Sequence, residues 1–265
     1  VGEIESTQIE LIREWIRKKK FRRYLINDCY PIAMDGTQKF VRDWLWDEEC
    51  LERTVGSGET SKSRYYVYVL QASLAFQAGM SIPLMSEFLT YPQDGSVSSK
   101  QDCELKAFHR LAARIKEAFP VLKIIVFLDG LYPNGPVMER CRKYNWQYMI
   151  VLQDKSLSTV HGEFEAISEL EPKNRYTRLW ANRRQSFRWA NDIEYCFGSN
   201  EKKIEIIHVV ECMETWSEIE KGGTQIVEKN GRHLWISSEP LTKQNLHERC
   251  NLGARSRWTI ETGFL

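Results

Sequence analysis

The sequence predicts an α/β fold, a mixed sheet flanked by helices with an inserted β-rich subdomain, and three observations carry that expectation. Val121–Leu128 (VLKIIVFL) is almost continuously apolar, as a strand buried on both faces requires. Leu105, Phe108, Leu111, Ala112, Ile115 and Phe119 recur three and four apart, which predicts an amphipathic helix over residues 100–118 that Pro120 ends. From about Gly162 to Trp235 the pattern changes to short β-type runs (Ile193–Phe197, Ile204–Val210, Thr224–Val227) separated by polar turns such as Gly222-Gly223 and Asn230-Gly231.

The remaining elements follow in order. Ile9, Leu11, Ile12, Trp15 and Ile16 predict a helix over residues 7–20 with a basic end and a cap at Ser6 or Thr7. Tyr30–Met34 reads as a short strand that stops at Asp35-Gly36, with Gly36 permitting a sharp turn. After a charged loop, Tyr65–Phe76 and Met80–Tyr91 predict a hairpin turning at Ala78-Gly79, with Pro83 at an edge or bulge. The apolar strand of residues 121–128 terminates at a second Asp-Gly, Asp129-Gly130. Val137–Tyr144 as helix and Tyr148–Leu152 as strand then imply a parallel crossover. Leu241–Phe264 returns to helical spacing, with Leu246, Cys250, Trp258 and Ile260 toward the core and Glu261 on the same helix. The expected organisation is therefore a basic N-terminal helix (1–24), the first part of a catalytic domain (25–160), a β-rich insertion (161–238) and a C-terminal helix (239–265).

No apolar run approaches the roughly 18 residues of a membrane span, and no apolar signal core opens the chain, so it reads as a soluble, cytoplasmic fragment with no membrane partner. Seven scattered cysteines without a CxxC pair read as free thiols, and five histidines without HxH or HxxxH spacing offer no metal site. The net charge of +1 conceals local bias. Seven basic residues against Glu14 alone lie between Arg13 and Arg23. Between Lys173 and Arg188 there are six, including Arg183, Arg184 and Arg188, with no acid and with Tyr176, Trp180 and Phe187 interleaved. Cations that neutralise phosphate beside flat stacking surfaces suit single-stranded or distorted DNA; a solvated charged loop is the alternative.

Asp35 and Asp129 at the ends of separate strands, with Glu261 on a late helix, form a set of carboxylates that can converge at one end of a sheet. Oxygen donors of this kind suit Mg²⁺ or Mn²⁺, and two ions about 3.5–4 Å apart support in-line phosphoryl transfer. No GxxxxGK[ST] loop is present, which argues against nucleotide hydrolysis as a driving step.

The segments PIAMDGTQ (Asp35), IIVFLDGLYPNG (Asp129), WISSEPLTKQNL and RSRWTIETGF (Glu261) resemble the DDE transposases of the ribonuclease H-like fold, of the insertion-sequence-four type with a β-strand insertion before the Glu. The resemblance covers most of the chain. It implies a bacterial or archaeal, nucleoid-associated enzyme that cleaves DNA and transfers strands at transposon ends. Asp35, Asp129 and Glu261 would be catalytic and hold two Mg²⁺ or Mn²⁺ ions. The partners implied are terminal inverted repeats and target DNA, bound by a homodimer. That family reads Y-x2-R-x3-E-x6-K around its Glu; Arg257 matches its Arg and would contact phosphate, whereas Ala254 stands at the Tyr and the Lys falls beyond Leu265. A base-holding Trp of the insertion aligns with His233, and Trp235 lies two residues along on the same strand face, where it is either a stacking surface or a core side chain. A DNA-binding remnant without activity and a ribonuclease H-like nuclease are the alternative readings.

Overall fold

The computed structural model describes residues 2–47, 50–56, 58, 61–89, 100–220, 226–258 and 260. They form two compact units, one of residues 1–124 and 256–265 and one of residues 125–255. Within these limits the chain is α/β, with helices packed on sheet as the sequence predicts.

In the first unit α1 (Gly2–Arg17) precedes β1 (Tyr30–Arg42), β2 (Leu51–Val55), β3 (Lys62–Ala75), β4 (Ser81–Phe88) and α2 (Lys100–Ala118). The pairings among its strands β1 to β4 are antiparallel. β3 takes β1 along one edge, while β2 and β4 share the other. The predicted hairpin is β3–β4; it turns through Ala78 and Gly79, both at positive φ, and the register shifts where Pro83 meets Ser73. Proline has no N–H to give a ladder, so it is accommodated at this bulge of a strand paired on one side. α2 lays Phe108, Leu111, Ala112 and Ile115 over β3 and β4, burying them with Ile32, Met34, Leu70 and Leu74.

Asp35-Gly36 does not end its strand. β1 runs on to Arg42, with Asp35 opposite Gln71 and Gly36 opposite Leu70. Glycine is needed here for space rather than for a turn: a Cβ on Gly36 would lie 2.5 Å from the Tyr68 hydroxyl, which donates to buried Glu104 at 2.9 Å. The tyrosine ring fills the volume that a side chain at position 36 would take.

The second unit contains β5 (Ile124–Leu128, from its second residue), α3 (Gly135–Tyr144), β6 (Gln147–Val151), α4 (Ser158–Leu170), β7 (Arg175–Trp180), β8 (Arg183–Phe197), β9 (Lys203–Ile219) and β10 (Ile226–Ser237). Its sheet is mixed. β5 and β6 are parallel around α3, then β6, β10, β9, β8 and β7 follow antiparallel. α3 is capped at both ends: the Asn134 side chain accepts from Val137 N at 3.1 Å, and Asn145 closes the helix in the left-handed region at φ 57°. The residues expected as a β-rich insertion begin on α4, which packs against β8, and their last strand pairs directly with β6.

Two local expectations need correction. Asn230-Gly231 lies inside β10, where Gly231 pairs with Glu214, so it is a strand residue and not a turn. The Leu241–Phe264 segment is not one regular α-helix. A π-helical turn over His247–Gly253 gives way to a 3₁₀ turn over Ala254–Arg257. Asn251 is drawn to Gln185 by a pair of side-chain hydrogen bonds, and a Cβ on Gly253 would stand 2.8 Å from the Phe127 ring, so packing overrides regular winding. Gly222-Gly223 lies outside the described residues. Among the cysteines with described side chains, Cys29, Cys50, Cys141, Cys196, Cys212 and Cys250 are free thiols.

Gly36→Ala is expected to lower stability by about 1–3 kcal/mol through overpacking against Tyr68. Urea unfolding checks this, and an unchanged midpoint would contradict the packing role given to Gly36.

Candidate functional site

In the first unit, Asp35 projects from the middle of β1 and its Oδ1 accepts from its neighbour's backbone, Gly36 N, at 3.1 Å. Its Oδ2 lies 3.4 Å from Arg257 Nη1, and the two side chains are only 18% and 7% exposed. A guanidinium withdrawn this far from water is costly unless a carboxylate balances it. Arg257 also stands over the Trp258 ring, 4.7 Å from its centre. The cation that the sequence offered to phosphate is thus held beside the first aspartate. Glu261, four residues on, lies outside the described residues.

In the second unit, Asp129 follows the wholly buried strand β5, as predicted. Its Oδ1 accepts from Leu131 N at 2.9 Å, an Asx-type turn that fixes the carboxylate. The chain passes close over Gln153 here, where a Cβ on Gly130 would come within 2.4 Å. Among the described residues no three His, Cys, Asp or Glu side chains are grouped to hold a metal.

The other predicted residues gather around two carboxylates that sequence reasoning did not single out. Strand pairing puts Gln185, Glu214, His233 and Trp235 on one face of β8–β9–β10, and Arg188, Glu211 and Arg232 on the other. Glu214 is fully buried. Arg183 reaches it at 2.9 Å, Gln185 and Arg255 donate to it, and His233 Nε2 is 3.6 Å away. Burial alone pushes the Glu214 carboxyl up, but the hydrogen bonds from Gln185 and Arg255 outweigh it and hold the group below the usual carboxylate range. Burial, reinforced by the Arg255 charge, depresses His233 and favours its neutral form. His233 stacks on Trp235, with rings 5.4 Å apart and 7° from parallel, and Trp235 itself is buried.

On the opposite face Glu211 binds Arg188 and Arg232, and Arg188 makes a two-pronged contact with Glu165 of α4 at 2.6 and 2.7 Å. Arg183 and Arg188 are therefore engaged within the protein, whereas Arg184 is exposed. A sequence signal for this exists in hindsight: Glu211 and Glu214 interrupt the apolar run of β9, and a carboxylate inside a core strand needs cations on the neighbouring strands.

No protein-family model matches the chain, and no curated protein does. Among solved structures, it is similar to piggyBac transposase, determined by cryo-electron microscopy as a synaptic complex with hairpin DNA, at a TM-score of 0.41 and 8% identity. The match covers 88% of this chain and 39% of that one, so the chain spans well under half the length of that protein.

The depressed Glu214 makes acid stability a test of the network. A carboxyl lowered in the native state adds stability that is complete above its ordinary value of 4.5 and disappears as pH falls through the native value. Glu214→Gln should cost roughly 3 kcal/mol or more near neutrality, by leaving buried cations unbalanced, and should flatten the acid limb of a stability–pH curve. An unchanged acid limb would show that Glu214 is not held ionised.

Proposed function

We propose that the chain is a DNA transposase that cleaves DNA and transfers strands at transposon ends, with Asp35, Asp129 and Glu261 as its carboxylate set. The observation that carries this reading is the pairing of Arg257 with Asp35. The segment bearing R-x3-E, which resembles the transposase motif, thereby starts beside the first aspartate of that motif, though the two are far apart in sequence. The two described aspartates also share a local device: each carboxylate is oriented by a nearby backbone N–H on Oδ1.

Their hard oxygen donors fit Mg²⁺ or Mn²⁺ in chemical character, with Glu261 as the third ligand. Metal held by these carboxylates would supply activation of the attacking water or 3′-hydroxyl and charge stabilisation for the departing 3′-oxygen. The protein's own part is to orient the carboxylates and to keep a guanidinium at Asp35, so that this carboxylate is charge-balanced before DNA arrives. Arg184, exposed on β8, contributes to the phosphate contacts, and terminal inverted repeats held by a homodimer are the substrate assembly that this reading entails.

Asp129→Asn and Glu261→Gln are each expected to abolish Mg²⁺-dependent nicking of duplexes carrying the element's own ends while leaving DNA binding nearly intact. Nicking at the parental rate in either variant would remove that residue from the site. Arg184→Ala should weaken DNA binding and lower the slope of log affinity against log salt by about 1 for one lost phosphate contact. An unaltered slope would place Arg184 outside the DNA surface.

A further inference from the structure

The sheet of the second unit contains a gap in its middle lane. β10 ends at Ser237, opposite Met149 of β6 and His208 of β9, and the chain then turns away through Ser238, Glu239 and Pro240. β6 and β9 both extend past that point. Residues 203–207 of β9 pair with β8 on one side, and no described strand takes their other side. Strands lie about 4.8 Å apart, so a missing lane leaves roughly 10 Å between its neighbours, enough for one flat ring.

A cavity of about 320 Å³ occupies this gap beneath the C-terminal turn of α3, lined by Arg142, Trp146, Tyr148, Glu205 and Glu239 among others. The volume falls at the lower end of the range of small-molecule sites, about 300–1,000 Å³. Its lining holds polar groups that the protein leaves without partners. The Trp146 indole N–H and the Tyr148 hydroxyl are buried and make no hydrogen bond, although both side chains are more than nine-tenths buried. Such orphans are rare in folded proteins, because each costs about 1–3 kcal/mol when unsatisfied. Burial above all pushes the Tyr148 hydroxyl up, reinforced by Glu205 of the same cavity.

The lining also selects the chemistry of an occupant. Trp146 can only donate, so it needs an acceptor. Glu205, likewise more than nine-tenths buried, can only accept when ionised; Arg142 Nε stands 3.1 Å away, but burial outweighs it and pushes the carboxyl up, so a second anion would be opposed here. A neutral ligand with an acceptor next to a donor therefore fits better than an ion. A trans amide points its C=O and N–H in opposite directions, whereas an amide within a ring presents both on one edge. We propose that this cavity binds a small cyclic amide, with Trp146 and Tyr148 donating to its carbonyl oxygen and Glu205 accepting from its N–H. The inference is independent of the transposase reading and concerns residues outside that carboxylate set.

The test follows the ¹⁵N-indole resonance of Trp146, assigned with Trp146→Phe, as the 265-residue chain is titrated with uracil, with 2-piperidone and with 1,3-dimethyluracil. Uracil and 2-piperidone distinguish a nucleobase from a general lactam, and the dimethyl compound lacks the N–H. The expected result is a saturable shift with at least one of the first two and none with the third. Binding should weaken by about tenfold in Tyr148→Phe and in Glu205→Gln, the usual consequence of losing one buried hydrogen bond. Tyr148→Phe, the gentler change, decides the matter if Glu205→Gln fails to fold. No shift with either lactam, an equal shift with the dimethyl compound, or equal affinity in Tyr148→Phe would overturn the proposal and assign the gap to water.

Discussion

The contact between Arg257 and Asp35 is the interaction on which the functional account depends. The described residues from Ser256 onward belong to the compact unit built from the first 124 residues, and this largely buried ion pair is one of the bonds that hold Arg257 there. A carboxylate and a guanidinium that have both left water constrain each other strongly: neither tolerates loss of the other without an uncompensated charge. Whatever else the C-terminal segment does, it starts from a fixed point on β1.

The second unit solves a related problem on a larger scale. Its long strands β8, β9 and β10 bring carboxylates into the interior on both faces, Glu211 toward α4 and Glu214 toward the turn of residues 247–255. Each is surrounded by donors rather than by a single partner. Networks of this kind favour one arrangement of the strands, because a shift of register would leave several buried groups unsatisfied at once. The same arrangement uses up much of the basic patch. Arg183 lies against Glu214 and over the Trp216 ring at 3.9 Å, so charge that seemed available to DNA in the sequence is partly structural.

Much of this fold was legible in the sequence wherever burial imposed a period. The continuous apolar run of β5, the three-and-four spacing of α2 and the Ala78-Gly79 turn all have direct local causes. The errors arose at glycines. Gly36 and Gly231 were read as turns because glycine permits them, but both lie inside strands, and at Gly36 the Tyr68 ring occupies the space of the missing side chain. That cause sits on another strand and leaves no local trace. The final segment misled for a similar reason: its apolar spacing is helical, while Asn251 and Gly253 answer to partners on distant strands. For the site, the position of Asp129 at a strand end was readable, and the neighbourhood of Arg257 was not, since a cation's partner depends on tertiary structure. Glu211 and Glu214 were overlooked because isolated acids in a strand usually face water.

The most direct test of the central claim is a Mn²⁺ titration followed by electron paramagnetic resonance, on the parent chain and on Asp35→Asn, Asp129→Asn and Glu261→Gln separately. The proposal predicts bound Mn²⁺ in the parent and a marked loss of affinity in all three variants, because on that proposal each would contribute a ligand. Mn²⁺ binding that survives unchanged in any of the three would contradict it.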